Sequence, residues 1–189
     1  MKRVLGGILL GLVLAGVVPL LILAVGGFNT AATAGPTRLE RKLALFTVNR
    51  SVARRAPEET NPFGSSPEAL REALPHYREN CVLCHGAPGV EAAELARGLN
   101  PPPPDLTAPR IQGRSDGDLF WLVSEGIRMS GMPAFSPTHS REEIWKLVAL
   151  IRHLPSLTAE ERQLLEKSGE KGHHHESKDR PGGAGHDGR

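Results

Sequence analysis

Both cysteines of the chain, Cys81 and Cys84, lie two residues apart and run directly into a histidine, in NCVLCHG at residues 80–86. A redox dithiol of the thioredoxin kind wants its CxxC at the start of a helix, after a strand in a βαβ pattern. Here a helical pattern leads into the pair and no strand pattern surrounds it. A zinc site needs two more Cys or His ligands at suitable spacing. No third cysteine exists, and the run His173, His174, His175 lies far along in the C-terminal tail. A disulfide across two residues closes only a tiny loop and stabilises little. The remaining chemistry uses His85 as well, because C-x-x-C-H is the attachment pattern of c-type haem. In that chemistry the two thiols add to the two vinyl groups of the macrocycle, and the adjacent imidazole is held under the iron as an axial ligand.

One histidine leaves the opposite coordination position to be filled. Met1 is excluded by its place, which leaves Met129 and Met132, both in GIRMSGMPAF at 126–135. A thioether suits haem iron, and His/Met ligation raises the reduction potential. Met132 is the predicted ligand: Gly131 permits close approach and Pro133 fixes the backbone beside it. Met129 is expected to pack on the haem face or the domain surface. His139, in a nearby loop, and His153, on a helix, are the rival ligands.

An all-α domain is expected to position these groups. Ser66-Pro67 reads as an N-cap followed by proline at the first helical position. The helix from there runs to the cysteines, with Pro75 expected to kink or split it. Residues 86–114 are loop-rich, and Pro101–Pro104 excludes helix. Ser115 caps a helix that ends at Gly126. Ser140 and Glu143 form a capping box for REEIWKLVALIRHL, whose apolar stripe is Ile144, Leu147, Val148 and Ile151 and whose stop is Pro155. Thr158 and Glu161 repeat that pattern before a short last helix closing near Gly169. No strand pattern or internal repeat is present. With 4% aromatic residues and much of the 39% hydrophobic content at the N-terminus, the domain core is thin. A bulky cofactor would supply the missing cohesion.

Residues 4–28 carry no charge, which is long enough for a membrane-spanning helix of about 20 apolar residues. The alternative is a cleaved signal, for which Ala32-Thr33-Ala34 has the small-residue pattern, although the apolar run exceeds a signal core. Both readings export the rest of the chain. The chain divides into a cytoplasmic tip and span (1–35), a basic connector (36–65), the soluble domain (66–168) and a His-rich tail (169–189) too polar and glycine-rich for a core. The connector carries six basic against three acidic side chains, and Leu39, Leu43 and Phe46 recur at helical spacing among them. It reads either as a basic amphipathic helix on anionic headgroups or as a solvated stalk. Residues 66–157 carry nine basic and eleven acidic side chains, a balance that disfavours nucleic acid and suits a partner surface that is not strongly acidic. The tail run His173–His175 is either a copper, zinc or nickel site or a solvated run.

The ordered blocks Tyr77-x-x-x-CVLCHG, PPPPDLT, LFWLVSEGIRMSGMPAF and EEIWKLVALIRHLP, over about residues 66–157, closely resemble class I monohaem cytochromes c of the bacterial, membrane-anchored type. The resemblance implies an all-α fold around one covalently held haem c, with Cys81 and Cys84 attaching it and His85 and Met132 ligating the iron. It implies a crossing of first and last helices near Tyr77 and Trp145, and a carbonyl from one of Pro101–Pro104 on the proximal imidazole. Ala73 stands where the family often has glycine. The function implied is single-electron transfer between redox partners. Covalent attachment on the exported side then places the N-terminus inside and the haem domain on the periplasmic face of the cytoplasmic membrane. The alternatives are an electron-transfer subunit of a larger oxidoreductase, or a haem sensor or peroxidase with a labile sixth ligand.

Overall fold

A computed structural model describes residues 1–27 and 29–166. The expectations placed on 167–189, the last helix's closure at Gly169 and the metal site at His173, His174 and His175 among them, lie outside the described residues. The described residues are helical, and their only β feature is an isolated bridge between Ala87 and Val90.

Helix α1 spans Lys2–Ala24, with a mean hydropathy of 2.7 and no buried residue. At 1.5 Å per residue its 23 residues exceed the roughly 30 Å of a bilayer's hydrocarbon core. It ends earlier than the apolar run because Gly26, at φ 72°, turns the chain while the Gly27 amide donates back to Ile22. Pro19 lies inside the helix without ending it.

Helix α2, Arg38–Arg55, is longer than the connector pattern implies. Thr37 and Glu40 close a capping box at its start, two orphan amides being satisfied reciprocally. Its last turns dock on the domain: Val52 is fully buried, and Arg114 donates to the Asn49 carboxamide at 2.8 Å.

Helix α3, Pro67–Asn80, starts at the Ser66 cap as expected but is not split at Pro75. Pro75 is on the exposed face, as is Arg71, whose carbonyl loses its amide donor. Water can serve that carbonyl, so the helix bears the proline at modest cost. One turn of helix, α4 (Val82–His85), follows, then a 3₁₀ turn at Glu94–Gly98 and a second single turn, α5 (Pro109–Gln112). Helix α6, Asp116–Glu125, is capped by Ser115 with Asp116 and Asp118 in its positive first turn. Helix α7, Arg141–His153, opens on the Ser140–Glu143 capping box and gives way at Pro155 to a 3₁₀ turn. Helix α8 covers Ala159–Glu166, behind reciprocal Thr158–Glu161 bonds.

The core forms where α3 crosses α7 and α6 packs alongside. Ala73, 1% exposed, lies in the buried face of α3 with Leu70, Leu74 and Tyr77. The stripe on α7 is broader than four residues, since Trp145, Ala149 and Leu150 are buried too. Trp145 stacks on Phe120 of α6 with ring centroids 4.3 Å apart. Tyr77 makes no ring pair with it and turns its hydroxyl elsewhere.

A polar network ties the connector to this core. Asn61 donates its amide to Asp116 (3.0 Å) and its carboxamide to the Trp145 carbonyl (2.9 Å). Asp116 in turn accepts from Arg152 at 2.8 Å, and Gln112 donates to the carbonyls of Leu106 and Ile151. Gly117 is part of the same junction. A Cβ there would stand 1.9 Å from the Pro57 carbonyl oxygen, a backbone atom that cannot step aside cheaply. Gly117→Ala is therefore expected to destabilise the domain by about 2–3 kcal/mol, read as a lowered thermal midpoint, although alanine is the better helix former. An unchanged or raised midpoint would show that the connector does not pack there.

Candidate haem site

The CxxCH segment is built from the end of α3 and the single turn α4. Cys81 closes α3 and also opens α4, its carbonyl accepting from Cys84 (3.1 Å) and His85 (2.9 Å). This tight turn presents both thiols and the imidazole within one helical turn. Both cysteines are free and partly buried, and Cys81 packs against the core. Burial, with the neighbouring Cys84 charge a lesser cause, pushes the Cys81 thiol up to about 12. A nucleophilic redox cysteine needs the opposite shift, towards thiolate. Cys81 is thus unsuited to initiate disulfide exchange.

Gly86 ends the turn at φ 60°, where an added Cβ would meet the Val90 carbonyl oxygen at 2.6 Å. Glycine is required here by conformation and by space alike. The Gly86 carbonyl accepts from the fully buried Tyr77 hydroxyl at 2.7 Å, so α3 fixes the exit of the motif. Burial raises the tyrosine's pKa, with smaller contributions from Cys81 and Asp105, so its proton stays in that bond. Tyr77→Phe leaves the buried carbonyl unsatisfied and is expected to cost about 1–2 kcal/mol in denaturant unfolding. No measurable cost would mean that the bond does not hold the turn.

His85 Nδ1 lies 2.9 Å from the Pro104 carbonyl oxygen. A carbonyl can only accept, so Nδ1 carries the hydrogen and Nε2 keeps its lone pair free. Burial lowers the His85 pKa, the Pro104 bond opposing it in part, so the ring is neutral near pH 7. A neutral imidazole, oriented by a backbone carbonyl behind it, is the form that binds a metal. Among the four prolines the structure selects Pro104. Behind it Asp105 accepts from the Thr107 amide (2.8 Å) and hydroxyl (2.7 Å), a local turn that ends the proline run. A cleft of about 230 Å³ lies beside His85, lined by Tyr77, Gly86, Val90, Leu106 and Leu154 among others.

Met132 comes from the loop after α6. Gly126 leaves that helix at φ 64° and runs against Pro133, a Cβ there meeting its carbonyl carbon at 2.5 Å. The Ile127 amide donates to the Met132 carbonyl (3.2 Å), the Met132 amide to Ser130 Oγ (3.2 Å), and the Phe135 amide to the Val123 and Ser124 carbonyls. Met132 itself is partly buried against the core. Gly131 abuts Leu99, whose Cδ2 would lie 2.8 Å from an added Cβ. The methionine loop therefore meets the segment that leads into Pro104. Met129, at φ 60°, is 93% exposed and does not pack on the domain surface.

The rival histidines are engaged elsewhere. Both ring nitrogens of His153 have partners, Glu161 at 3.0 Å and Ser156 at 3.2 Å. His139 Nδ1 is 2.9 Å from Thr138 Oγ1, and its ring meets Phe135 and His76 edge-on. Among the described residues no cluster of three or more His, Cys, Asp or Glu side chains is arranged to hold a bare metal ion. The donor set fits a c-type haem: two free thiols, one oriented neutral imidazole, and a thioether on the loop that packs against the Leu99–Pro104 segment. Tyr77 and Pro104 complete this site by reaching it across the fold, and their residue types alone do not announce it.

No curated protein matches the chain in sequence. Residues 68–151 match the family model described as cytochrome C oxidase, cbb3-type, subunit III. Those residues form a class I-like monohaem cytochrome c domain similar to that family, behind an N-terminal apolar helix that is a candidate membrane anchor.

Proposed function

We propose that this chain is a membrane-anchored c-type cytochrome that carries single electrons between redox partners through one covalently attached haem, with Cys81 and Cys84 as attachment residues and His85 and Met132 as axial ligands. The observation that supports it most is the His85–Pro104 bond, which leaves the Nε2 lone pair of a neutral ring available next to two free thiols. Haem iron, when bound, supplies the one-electron chemistry. The protein's part is to hold the imidazole in one tautomer, to supply the thioether and to keep water from the site. Were His85 and Met132 both to hold the iron, they would leave it no position for a substrate, which suits electron transfer rather than bond-making. The domain belongs on the periplasmic side of the cytoplasmic membrane, where such attachment takes place. The family match supports a specific setting for this role, as the electron-transfer subunit of a larger oxidase.

A haem-stained denaturing gel of membrane and soluble fractions tests attachment and anchoring together. A stained band at about the chain's mass of 20.3 kDa in the membrane fraction is expected. An unstained chain overturns the covalent assignment, and a stained soluble one overturns the anchor. Purification from mild detergent then distinguishes the setting: co-elution with an oxidase supports the subunit, elution alone the free carrier.

A further inference from the structure

Helix α2 has two opposed sides. The docked side carries Val52, fully buried, partly buried Val48, and Asn49 bonded to Arg114. At about 100° per residue the opposite side carries Leu39, Leu43 and Phe46, which are 66%, 56% and 61% exposed. Lys42, Arg50 and Arg54 lie within or beside that stripe, and the Arg50 guanidinium sits 5.6 Å from the Phe46 ring centroid. The helix holds six basic residues and one acid, and that acid, Glu40, is tied into the capping box. Only residues 25–37 separate α2 from the end of the apolar span, a connection that lets α2 lie on the surface from which α1 would leave the bilayer.

We propose that the Leu39–Leu43–Phe46 face of α2 lies on the anionic lipid headgroups of the membrane that α1 spans, and thereby seats the haem domain on the bilayer surface. The inference rests on α1 being the anchor. Three large apolar side chains flanked by long cations suit a headgroup boundary, where the stems lie along the apolar layer and the charges reach phosphate. A protein core would leave those cations without partners, and the acids of the domain do not cover them. Because the other side of α2 is joined to α6 and Arg114, the helix acts as a rigid spacer between lipid and domain. It would fix which face of the domain meets a partner in the same membrane.

The test uses the full haem-loaded chain in bilayers of phosphatidylcholine, alone or mixed with phosphatidylglycerol. A nitroxide is placed by Leu43→Cys or, about 100° around the helix, by Ala44→Cys, with label taken up by the unsubstituted chain subtracted. On the mixed bilayer the label at 43 gains access to oxygen and loses access to a water-soluble nickel chelate, while the label at 44 stays chelate-accessible. Each cation near an anionic surface strengthens association about five-fold, so Lys42→Gln with Arg50→Gln weakens the preference for anionic lipid about 25-fold. A label at 43 that stays open to the chelate on anionic bilayers overturns the proposal. So does one shielded from oxygen and chelate alike whatever the headgroup, which would assign the face to a protein partner. Alkaline carbonate extraction reads the anchor separately: a chain that washes off fails at α1, not at α2.

Discussion

Replacing Cys81 and Cys84 together by serine is expected to remove all haem staining from the chain on a denaturing gel. A hydroxyl does not form the thioether bond, and no other cysteine exists to take its place. Haem then remains, if at all, by His85 and Met132 alone, and denaturation releases it. The single variants should behave differently. Cys81→Ser or Cys84→Ser retains one thioether and therefore a stained band, with one vinyl group left unsaturated and the pyridine haemochrome band shifted to longer wavelength. The two singles should also differ in stability. Cys81 packs against the core, so a serine hydroxyl there costs about 1–3 kcal/mol. Cys84 is not packed in that cluster and should cost less. Full staining of the double variant would remove the covalent assignment, and with it the reading of NCVLCHG.

What could be read from the chain directly was what is local. The caps at Ser66, Ser115, Ser140 and Thr158 were legible because a cap involves residues three apart, and each is formed. The proposed haem-binding set could be named from sequence because Cys81, Cys84 and His85 lie within five residues, and because two methionines, Met129 and Met132, share one later loop. Pro75 misled because the cost of a helical proline depends on what its orphaned carbonyl faces, and the exposed side of α3 is known only once α7 is packed on the other. The length of α2 was hidden for a related reason: its second half is held by Val52 and Asn49 docking on residues about sixty positions away, not by its own pattern. Pro104 could not be chosen among four identical neighbours without the fold that brings its carbonyl to His85. The Tyr77 hydroxyl had a weak signal. A buried tyrosine needs an acceptor, and the glycine that ends the turn after His85 leaves its carbonyl in reach.

Met132→Ala separates ligation from folding, because the loop that carries Met132 is held by its backbone. The Ile127 amide bonds the Met132 carbonyl, the Met132 amide bonds Ser130, and Gly131 rests on Leu99, none of which involves the thioether. The side chain is only partly buried, so its truncation should cost roughly 1–2 kcal/mol, less than the 2–5 of a fully buried methionine. Haem should stay attached through the cysteines. The methionine-to-iron absorption band of the oxidised protein should vanish, and the reduced protein should bind carbon monoxide while the parent should not. The potential should fall, since the thioether favours the reduced iron. Axial ligation moves haem potentials over roughly 0.8 V, and a drop on the order of 0.1 V or more is expected here. Met129→Ala is the matched control: outward-turned and 93% exposed, it should leave band, potential and carbon monoxide exclusion unchanged. Should the band persist in Met132→Ala and disappear in Met129→Ala, the loop must turn over when haem is attached. Should it persist in both, the sixth ligand is not a methionine. His139 would then be the first residue to replace, since it must give up Thr138, Phe135 and His76 to reach iron, and its loss would show in the spectrum.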